Sequence, residues 1–350
     1  MGKDGVKSFF NKLLNGVALG IVVGLIPNAV LGGILKFFIN DSSIIKMIYN
    51  VLGMSQLATP ALIGILVALQ FKMQPIEVAI SGMVSFICGG SISIVDGKMI
   101  INGIGDLINI MIVSAVLVLV MQFFRGKFGS LTIILLPVLT TAIVGTFGLT
   151  ILPYVKKITG FIGSIIMDFT TLQPLLMSIL LAISFALIIV SPVSTVAVSI
   201  AVGLQGLASG AANVGIASCA MTLVVGTMRV NKIGVPLSLF FGSMKIFMPN
   251  WLKYPIVNIP IIINAVFAGF LAYYFTIQGT AASAGFGFSG LIGPIAAFQF
   301  MQGSILSKIT ILFIVYFMAT FVFALITDFI FVKILKIYKR DIFIFEELGK

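Results

Sequence analysis

Four polar or glycine-rich stretches interrupt an otherwise apolar chain, and they hold most of the side chains that could do chemistry. In the first stretch, Asp106 and Asn109 lie three residues apart at the start of an apolar run. On a helix this spacing puts both side chains on one face, where they can line a cavity. The alternative is that Asp106 caps the helix at its positive end. We predict a substrate-binding role for both residues, and the cap stays open as a second role.

The second stretch, residues 191–215, contains a Ser-Pro break and many small residues. Ser194 and Thr195 follow the break, while Gln205 and Asn213 lie eight residues apart and can share one face of a continuous helix. A helix broken inside a membrane exposes backbone groups that can bind a substrate. Small residues also allow helices to pack closely, which is the alternative interpretation. The density of hydrogen-bonding groups leads us to predict these four polar residues as part of a substrate site.

The third stretch places a lysine inside an apolar sequence that ends in a Met-Pro-Asn motif. A lysine is costly in lipid, so Lys245 is expected to face a cavity or else to extend to the membrane interface. Trp251 and Tyr254 follow Asn250 closely and are typical of an interfacial aromatic belt. We assign Lys245 and Asn250 to the predicted substrate site, with an interfacial position of Lys245 as the alternative.

The fourth stretch, residues 284–294, contains four glycines within nine residues. This composition disfavours a regular helix, so a re-entrant loop buried in protein is expected here. The loop is not a phosphate-binding P-loop, because no Lys-Ser or Lys-Thr pair follows it. Ser289, near its centre, is the polar side chain that we assign to the substrate site.

The residue types that are missing exclude several classes of chemistry. The chain has no histidine, and its two cysteines, Cys88 and Cys219, each lie inside an apolar run. A catalytic triad, a phosphohistidine and a redox or metal centre are therefore not expected. We predict no catalytic residue, metal or cofactor. The basic residues are scattered at the ends of apolar runs, which indicates membrane topology rather than nucleic-acid binding.

The elements that must position these stretches follow from the composition. Of 350 residues, 60% are hydrophobic and only 9% are charged, too few to cover the surface of a soluble protein. Long apolar runs predict an all-α polytopic membrane protein, because the strands of a β-barrel would alternate instead. About ten spans are predicted: residues 17–38, 57–71, 76–94, 104–124, 131–152, 175–190, 193–208, 211–227, 256–276 and 306–331.

Further local patterns complete the predicted organisation. Asp96-Gly97 between two β-prone runs predicts a small extracytoplasmic hairpin, and residues 155–172 predict an amphipathic helix at the membrane interface. Basic residues in the short loops place both termini in the cytoplasm. Glu77 lies near Lys72 and is interpreted as an interface residue first and a proton-coupling candidate second. No polar stretch is long enough to fold alone, so residues 1–350 are predicted to form a single transmembrane domain.

At these stretches the sequence resembles the EIIC-type integral membrane proteins of the bacterial phosphotransferase system, in the branch that includes the perfringolysin regulator-like protein PfoR. The resemblance rests on the motifs within residues 191–215, on Gly242-Ser243 with Met248-Pro249-Asn250 and Pro255, and on residues 285–293. The motif Gly105-Asp106-Leu-Ile-Asn109 is similar too. Together these motifs cover most of the chain from about residue 89 to residue 294.

The resemblance implies a sugar-permease fold in the cell membrane, with re-entrant elements that form the substrate site and a homodimer as the assembly. It implies the lipid bilayer, a small polar solute and separate cytoplasmic phosphotransferase components as partners. Sugar-phosphorylating members typically use a membrane histidine, which this chain lacks, so the mode of coupling stays open. We predict a permease for a small, sugar-like polar solute. The alternative is a membrane-bound regulator that senses a ligand and acts on a cytoplasmic partner.

Overall fold

The computed structural model describes residues 3–32, 35, 38–40, 42–95, 97–101, 103–242 and 244–345. Over these residues the chain is an all-α polytopic membrane protein with a two-stranded sheet, as the sequence predicts. The described residues fall into two compact units. Unit 1 comprises Met1–Asn28 and Ser43–Ile158, and unit 2 comprises Ala29–Ser42 and Thr159–Lys350.

Unit 1 contains the helices α1 (Lys3–Pro27), α2 (Ser43–Ser55), α3 (Thr59–Gln70), α4 (Pro75–Cys88), α5 (Leu107–Phe124), α6 (Thr132–Thr140) and the first part of α7 (Thr146–Phe169). Helix α1 packs closely on α3, because glycines at every fourth residue form a stripe along it. A Cβ atom at Gly16 would lie 2.5 Å from Val67 Cα, and one at Gly20 would lie 2.5 Å from Ile63 Cα. Small residues at this spacing let two helix backbones approach closely.

The predicted hairpin is present in unit 1. Strands β1 (Ile92–Val95) and β2 (Lys98–Ile101) pair antiparallel, with Ile92 opposite Ile101 and Val95 opposite Lys98. This register leaves a two-residue turn, in which Gly97 adopts a φ of 74° that favours glycine. Asp96, the other turn residue, lies outside the described part of the chain. The side of the membrane on which the hairpin lies stays a prediction.

Unit 2 contains the helices α8 (Pro174–Val190), α9 (Thr195–Val202), α10 (Gly206–Thr227), α11 (Gly234–Phe240), α12 (Met248–Lys253), α13 (Asn258–Tyr274), α14 (Ile292–Phe300), α15 (Ile305–Phe313) and α16 (Ala319–Phe329). Helix α10 is buried along almost its whole length, with α8, α13 and α16 packed around it. The contact with α8 needs a small residue, because a Cβ atom at Gly215 would lie 2.5 Å from Ala182 Cα. The most polar of the predicted stretches therefore forms the centre of unit 2.

The membrane-spanning helices match the predicted spans in part. Seven helical stretches among the described residues are long and apolar enough to cross a membrane: Ser8–Leu25, Ser43–Gln70, Leu107–Phe124, Gly129–Phe169, Gly206–Thr227, Pro255–Tyr274 and Ile305–Ile334. The shorter apolar helices Pro75–Cys88, Pro174–Val190 and Ser289–Phe300 accompany them. The predicted span 193–208 is not a single helix, because Gly203 takes a left-handed conformation that ends α9 at Val202.

The predicted amphipathic helix over residues 155–172 is not a separate helix. Its residues up to Phe169 continue α7, which starts at Thr146 and keeps Pro153 inside it. The helix continues through Pro153, because a proline inside a membrane helix is tolerated when neighbouring groups replace its missing hydrogen bond. The position of this segment relative to the membrane surface stays a prediction.

The predicted topology is open to a direct test by thiol labelling. Lys3→Cys and Lys350→Cys are each expected to resist an impermeant maleimide in intact cells and to react once the membrane is permeabilised, since the basic loops place both termini in the cytoplasm. Position 350 lies outside the described residues. The native Cys88 and Cys219 are buried, so their background labelling should be low. Labelling of either introduced thiol in intact cells would reject the orientation.

Candidate functional site

The nine predicted substrate-site residues divide between the two units. Asp106 and Asn109 belong to unit 1. The seven others belong to unit 2, namely Ser194, Thr195, Gln205, Asn213, Lys245, Asn250 and Ser289. The geometry of each group shows which side chains are already satisfied by the protein and which have capacity left for a ligand.

In unit 1, Asp106 and Asn109 form a local helix cap. The Asp106 Oδ1 atom accepts a hydrogen bond of 2.9 Å from the Asn109 amide at the start of α5. The fully buried Asn109 side chain donates to the carbonyls of Cys88 at 2.7 Å and Gly148 at 3.1 Å. The capping role is therefore visible in the geometry, and the cavity-lining role of this pair stays a prediction.

Glu77, the proton-coupling candidate, forms an ion pair with Arg125. Its carboxylate accepts from both Nε and Nη2 of Arg125, at 3.3 and 2.6 Å, and it also accepts from the Gln74 amide at 2.7 Å. The carboxylate is buried, whereas Arg125 is partly exposed. A bidentate pair of this kind holds the start of α4 to the end of α5. The proton-coupling role of Glu77 stays a prediction.

In unit 2, Lys245 fills the break between α8 and α9. Its Nζ atom donates to the carbonyl oxygens of Ser191 at 2.6 Å and Val193 at 2.8 Å. These carbonyls follow the last turn of α8, where the helix has a partial negative charge. Ser194 caps the next helix, because its Oγ atom accepts from the Ala197 amide at 3.2 Å. The third stretch is thereby joined to the second.

The glycine-rich loop after α13 begins with a main-chain pairing to α10. Gly206 and Gly279 exchange two backbone hydrogen bonds of 2.9 and 3.0 Å. The Ser209 hydroxyl donates to the carbonyl of Thr280 at 2.8 Å. Gly210 lies against this pairing, and no side chain larger than hydrogen fits there, because a Cβ atom would overlap the Ile277 carbonyl. The loop is thus fixed to the first turn of α10.

Further along, the same loop is held by two predicted site residues. The buried Thr195 hydroxyl donates to the Gly285 carbonyl at 2.7 Å. The Asn213 Oδ1 atom accepts from the Gly287 amide at 2.9 Å. A Cβ atom at Gly287 would lie 2.5 Å from Ile216 Cγ2, so glycine is needed for the loop to reach α10. The second and fourth stretches therefore meet, as a shared site requires.

Asn213 has hydrogen-bonding capacity that the protein does not use. Its side chain is fully buried, yet its Nδ2 atom has no hydrogen-bond partner among the described residues. Gly293, in the first turn of α14, lies beside it, since a Cβ atom there would lie 3.1 Å from Asn213 Cγ. An amide nitrogen carries two donors, and leaving them unpaired in the interior costs about 1–3 kcal/mol. The unpaired Nδ2 atom of Asn213 indicates a position where a ligand atom could accept a hydrogen bond.

Ser289 connects this loop to the third stretch. Its side chain is nearly buried and lies against Gly242, where a Cβ atom would overlap the Ser289 hydroxyl. Gly242 also has a φ of 100°, which excludes most other residues. Ser243, the next residue, lies outside the described part of the chain. Lys245 follows three residues after Gly242, so the three stretches of unit 2 converge around this turn.

Gln205 and Asn250 are placed differently from the expectation. Gln205 is exposed and precedes the first residue of α10, so it does not share a helix face with Asn213. The Asn250 Nδ2 atom donates to the carbonyls of Ile342 at 3.0 Å and Ile344 at 2.8 Å, so its amide holds the C-terminal segment. The contact of Asn250 could not be predicted, because its partners are remote in the sequence, whereas Gln205 is displaced by the local break at Gly203.

The C-terminal segment, Arg340–Phe345, is a part of this region that the sequence did not indicate. The Asn231 side chain donates to the Phe343 carbonyl and accepts from the Phe345 amide, both at 2.8 Å. Phe343 is buried against Gly226 and stacks on Phe247, which lies two residues after Lys245. Arg340 pairs with the buried Asp328. The segment is therefore bound along its length rather than free.

Comparisons with known proteins agree with this architecture. The family model described as the phosphotransferase system EIIC matches residues 11–345, which is almost the whole chain and includes all nine predicted site residues. No curated protein and no solved structure matches the chain. Among the described residues there is no group of three or more cysteine, aspartate or glutamate side chains that could hold a metal ion.

Proposed function

Because the chain belongs to the EIIC family of the phosphotransferase system, we propose that it is a membrane permease for a small, sugar-like polar solute. The solute site lies in unit 2, where the broken helix α8–α9, the glycine-rich loop and the Lys245 turn meet. Irregular backbone of this kind occurs at membrane depth only where protein or a water-filled cavity surrounds it. Its polar groups are available to a solute, as in other transporters with discontinuous helices.

The observation that carries this proposal is the unpartnered Nδ2 atom of the buried Asn213. A solute hydroxyl can accept from this amide and remove the cost of an unpaired donor. We propose Thr195, Asn213, Lys245 and Ser289 as the solute-binding core, because each of them lies on one of the segments that converge here. Asp106 and Asn109 support the fold of unit 1 and are secondary candidates.

The proposed mode of action needs other proteins. The chain has no histidine, so a phosphoryl group that reaches the solute would come from separate cytoplasmic phosphotransferase components. The protein itself supplies solute binding and passage through the membrane. We propose a homodimer in the cell membrane, with both termini in the cytoplasm, as its working form.

The proposal predicts a specific effect of Asn213→Asp. This change keeps the oxygen that accepts from the Gly287 amide but replaces the free donor by an acceptor. The transported solute would first be identified by screening labelled sugars and polyols for uptake into membrane vesicles. In the variant, uptake of this solute should fall by about tenfold or more, since a hydrogen bond to the solute is replaced by repulsion between two lone pairs. Uptake and the thermal unfolding midpoint would be measured on the same preparation.

Asn264→Asp is the matched control. Asn264 is also buried in unit 2, but its amide nitrogen and its oxygen both have partners, since it donates to Thr222 and accepts from Thr327, each at 2.7 Å. This variant should retain uptake at a normal rate per folded molecule. Equal uptake by the Asn213→Asp variant and the wild-type protein would reject Asn213 as a solute ligand.

A ligand-sensing regulator is the second candidate, and the bound C-terminal segment favours it. The segment contacts Phe247, two residues from Lys245, so it links the proposed solute site to the end of the chain. A solute that moves the Lys245 turn would alter this contact and could be detected by a cytoplasmic partner. Solute binding without uptake into vesicles would favour the regulator, whereas binding together with uptake would favour the permease.

A further inference from the structure

No acidic side chain among the described residues neutralises the charge of Lys245. Both of its hydrogen-bond acceptors are neutral main-chain carbonyls, and no described carboxylate lies within ion-pair distance of its Nζ atom. An ammonium group has three donors, of which two are used. A charge removed from water is costly unless it is paired, so Lys245 lacks the partner that such a position calls for.

The surroundings of the turn that carries Lys245, Met244–Phe247, contain few ionisable groups. Of the helices packed against it, α8 and α11 carry none, α10 carries only Cys219, and α12 carries only Lys253. The C-terminal segment that contacts Phe247 carries Arg340, which is paired with Asp328, and the exposed Asp341. Within the described part of these elements, no carboxylate therefore forms an ion pair with Lys245.

The pKa of Lys245 reflects this environment. The residue lies between the candidate spans Gly206–Thr227 and Pro255–Tyr274. Burial disfavours the ammonium form and lowers the pKa of Lys245 to about 7. Near neutral pH the Lys245 amine is therefore only partly protonated, and a bound anion would favour its ammonium form.

Two hydrogen-bond donors on the converging segments of unit 2 have capacity that the described residues do not use. The buried Asn213 Nδ2 atom has no described partner, and the third proton of Lys245 has none either. A carboxylate contains only acceptors, and its single charge matches the single ammonium. A phosphate monoester carries close to two negative charges at neutral pH, which one lysine would leave half compensated.

We propose that the solute is a carboxylate-bearing polyol, a sugar acid, whose carboxylate binds the Lys245 ammonium and whose hydroxyl groups reach the Asn213 amide and the Ser289 hydroxyl. The inference rests on the proposed permease function and names its substrate class. It assigns the charge selectivity of the site to one residue. Among the described residues, no carboxylate lies within ion-pair distance of Lys245, where it would compete with such a solute.

Matched pairs of probes that differ only in the charged group test this inference. Gluconate against sorbitol, glucuronate against glucose and galacturonate against galactose would be titrated into the purified full-length protein by calorimetry. We expect the acid of at least one pair to bind about 10–100-fold more tightly than its neutral counterpart, the range of a hydrogen bond to a charged group. Between pH 6 and pH 8 the affinity for the acid should fall about tenfold, because Lys245 loses its proton there while the probe stays ionised.

Three variants test whether Lys245 causes the preference for the acid. Lys245→Met should abolish the preference for the acid, Lys245→Arg should retain it in part, and Lys253→Met, which removes a nearby positive charge, should leave it unchanged. The thermal unfolding midpoint of each variant shows whether it is folded. Equal affinities within every pair overturn the inference but leave the permease proposal intact. A preference that survives in Lys245→Met overturns the role of Lys245, and failure of the wild-type protein to bind any probe contradicts both proposals.

Discussion

Gly210→Ala is expected to lower the thermal unfolding midpoint of the purified protein by about 5–10 °C, an estimate for overpacking that the backbone cannot relieve. The added methyl group would overlap the carbonyl of Ile277, and the atoms it meets belong to main chain rather than to a flexible side chain. The loop would have to move away from α10. This would break the paired hydrogen bonds of Gly206 and Gly279 and the bond from Ser209 to Thr280.

The functional consequence follows from the same displacement. Gly279 and Gly287 lie on one loop, so a shift at its start moves the amide that Asn213 holds at its far end. Solute binding by the Gly210→Ala variant should therefore be lost even in the fraction that stays folded. The test measures the unfolding midpoint and solute binding of the same preparation.

Gly160→Ala is the matched control, because it makes the same chemical change at an exposed helical glycine with no atom within 4 Å of the new Cβ. It should leave the unfolding midpoint unchanged or raise it slightly, since alanine favours the helix by up to about 1 kcal/mol. Similar midpoints for the two variants would show that the contact between α10 and the loop is not as tight as described.

The sequence predicts those parts of the site that depend on local chemistry. The glycine-rich loop, the break after α8 and the cap formed by Asp106 all arise from residues within a few positions of each other. The hairpin around Gly97 is of the same kind. In each case the conformational preference of one or two residues decides the local structure, so the local sequence is enough to predict it.

The partners of the same side chains could not be predicted in this way. Lys245 binds carbonyls more than fifty residues earlier in the chain, and Asn250 binds carbonyls more than ninety residues later. Neither contact leaves a periodic signal. The span predicted over residues 193–208 is wrong for a local reason, because hydropathy counts apolar residues and does not register that the left-handed Gly203 ends α9. The sequence analysis missed the glycines at every fourth residue of α1, although this spacing is typical of close helix packing.

Truncation after Lys339 is expected to loosen the Lys245 turn, because the C-terminal segment holds that turn from two sides. The loss removes Phe343, which packs on the Phe247 ring at 5.6 Å, and the two carbonyls that accept from Asn250. It also removes Arg340 and leaves the buried Asp328 carboxylate without its partner, a change that typically costs about 3–5 kcal/mol. The unfolding midpoint should fall by about 10 °C or more.

Truncation after Phe345 is the matched control for this effect. It removes only residues 346–350, which lie outside the described part of the chain, and it retains every contact of Arg340, Phe343 and Phe345. Its unfolding midpoint should equal that of the full chain. If both truncated proteins unfold at the same temperature as the full chain, the segment is not bound as the contacts indicate.

Hydrogen exchange separates a local effect on the Lys245 turn from general destabilisation. In the protein truncated after Lys339, amides of Met244–Lys253 should exchange about tenfold faster or more, because a loss above about 1.4 kcal/mol of local stability raises the open fraction by that factor. Amides of α1 and α3, which belong to unit 1, should be unaffected at a temperature well below the unfolding midpoint. Phe343→Ala should give a smaller change of the same pattern, because the Asn250 bonds go to main-chain carbonyls and survive the substitution.

Since Lys245 lies on the segment that opens, solute affinity should fall in the same order, from the full chain through Phe343→Ala to the truncated protein. A truncated protein with fast exchange but full solute affinity would show instead that Lys245 is held by the carbonyls of Ser191 and Val193 alone.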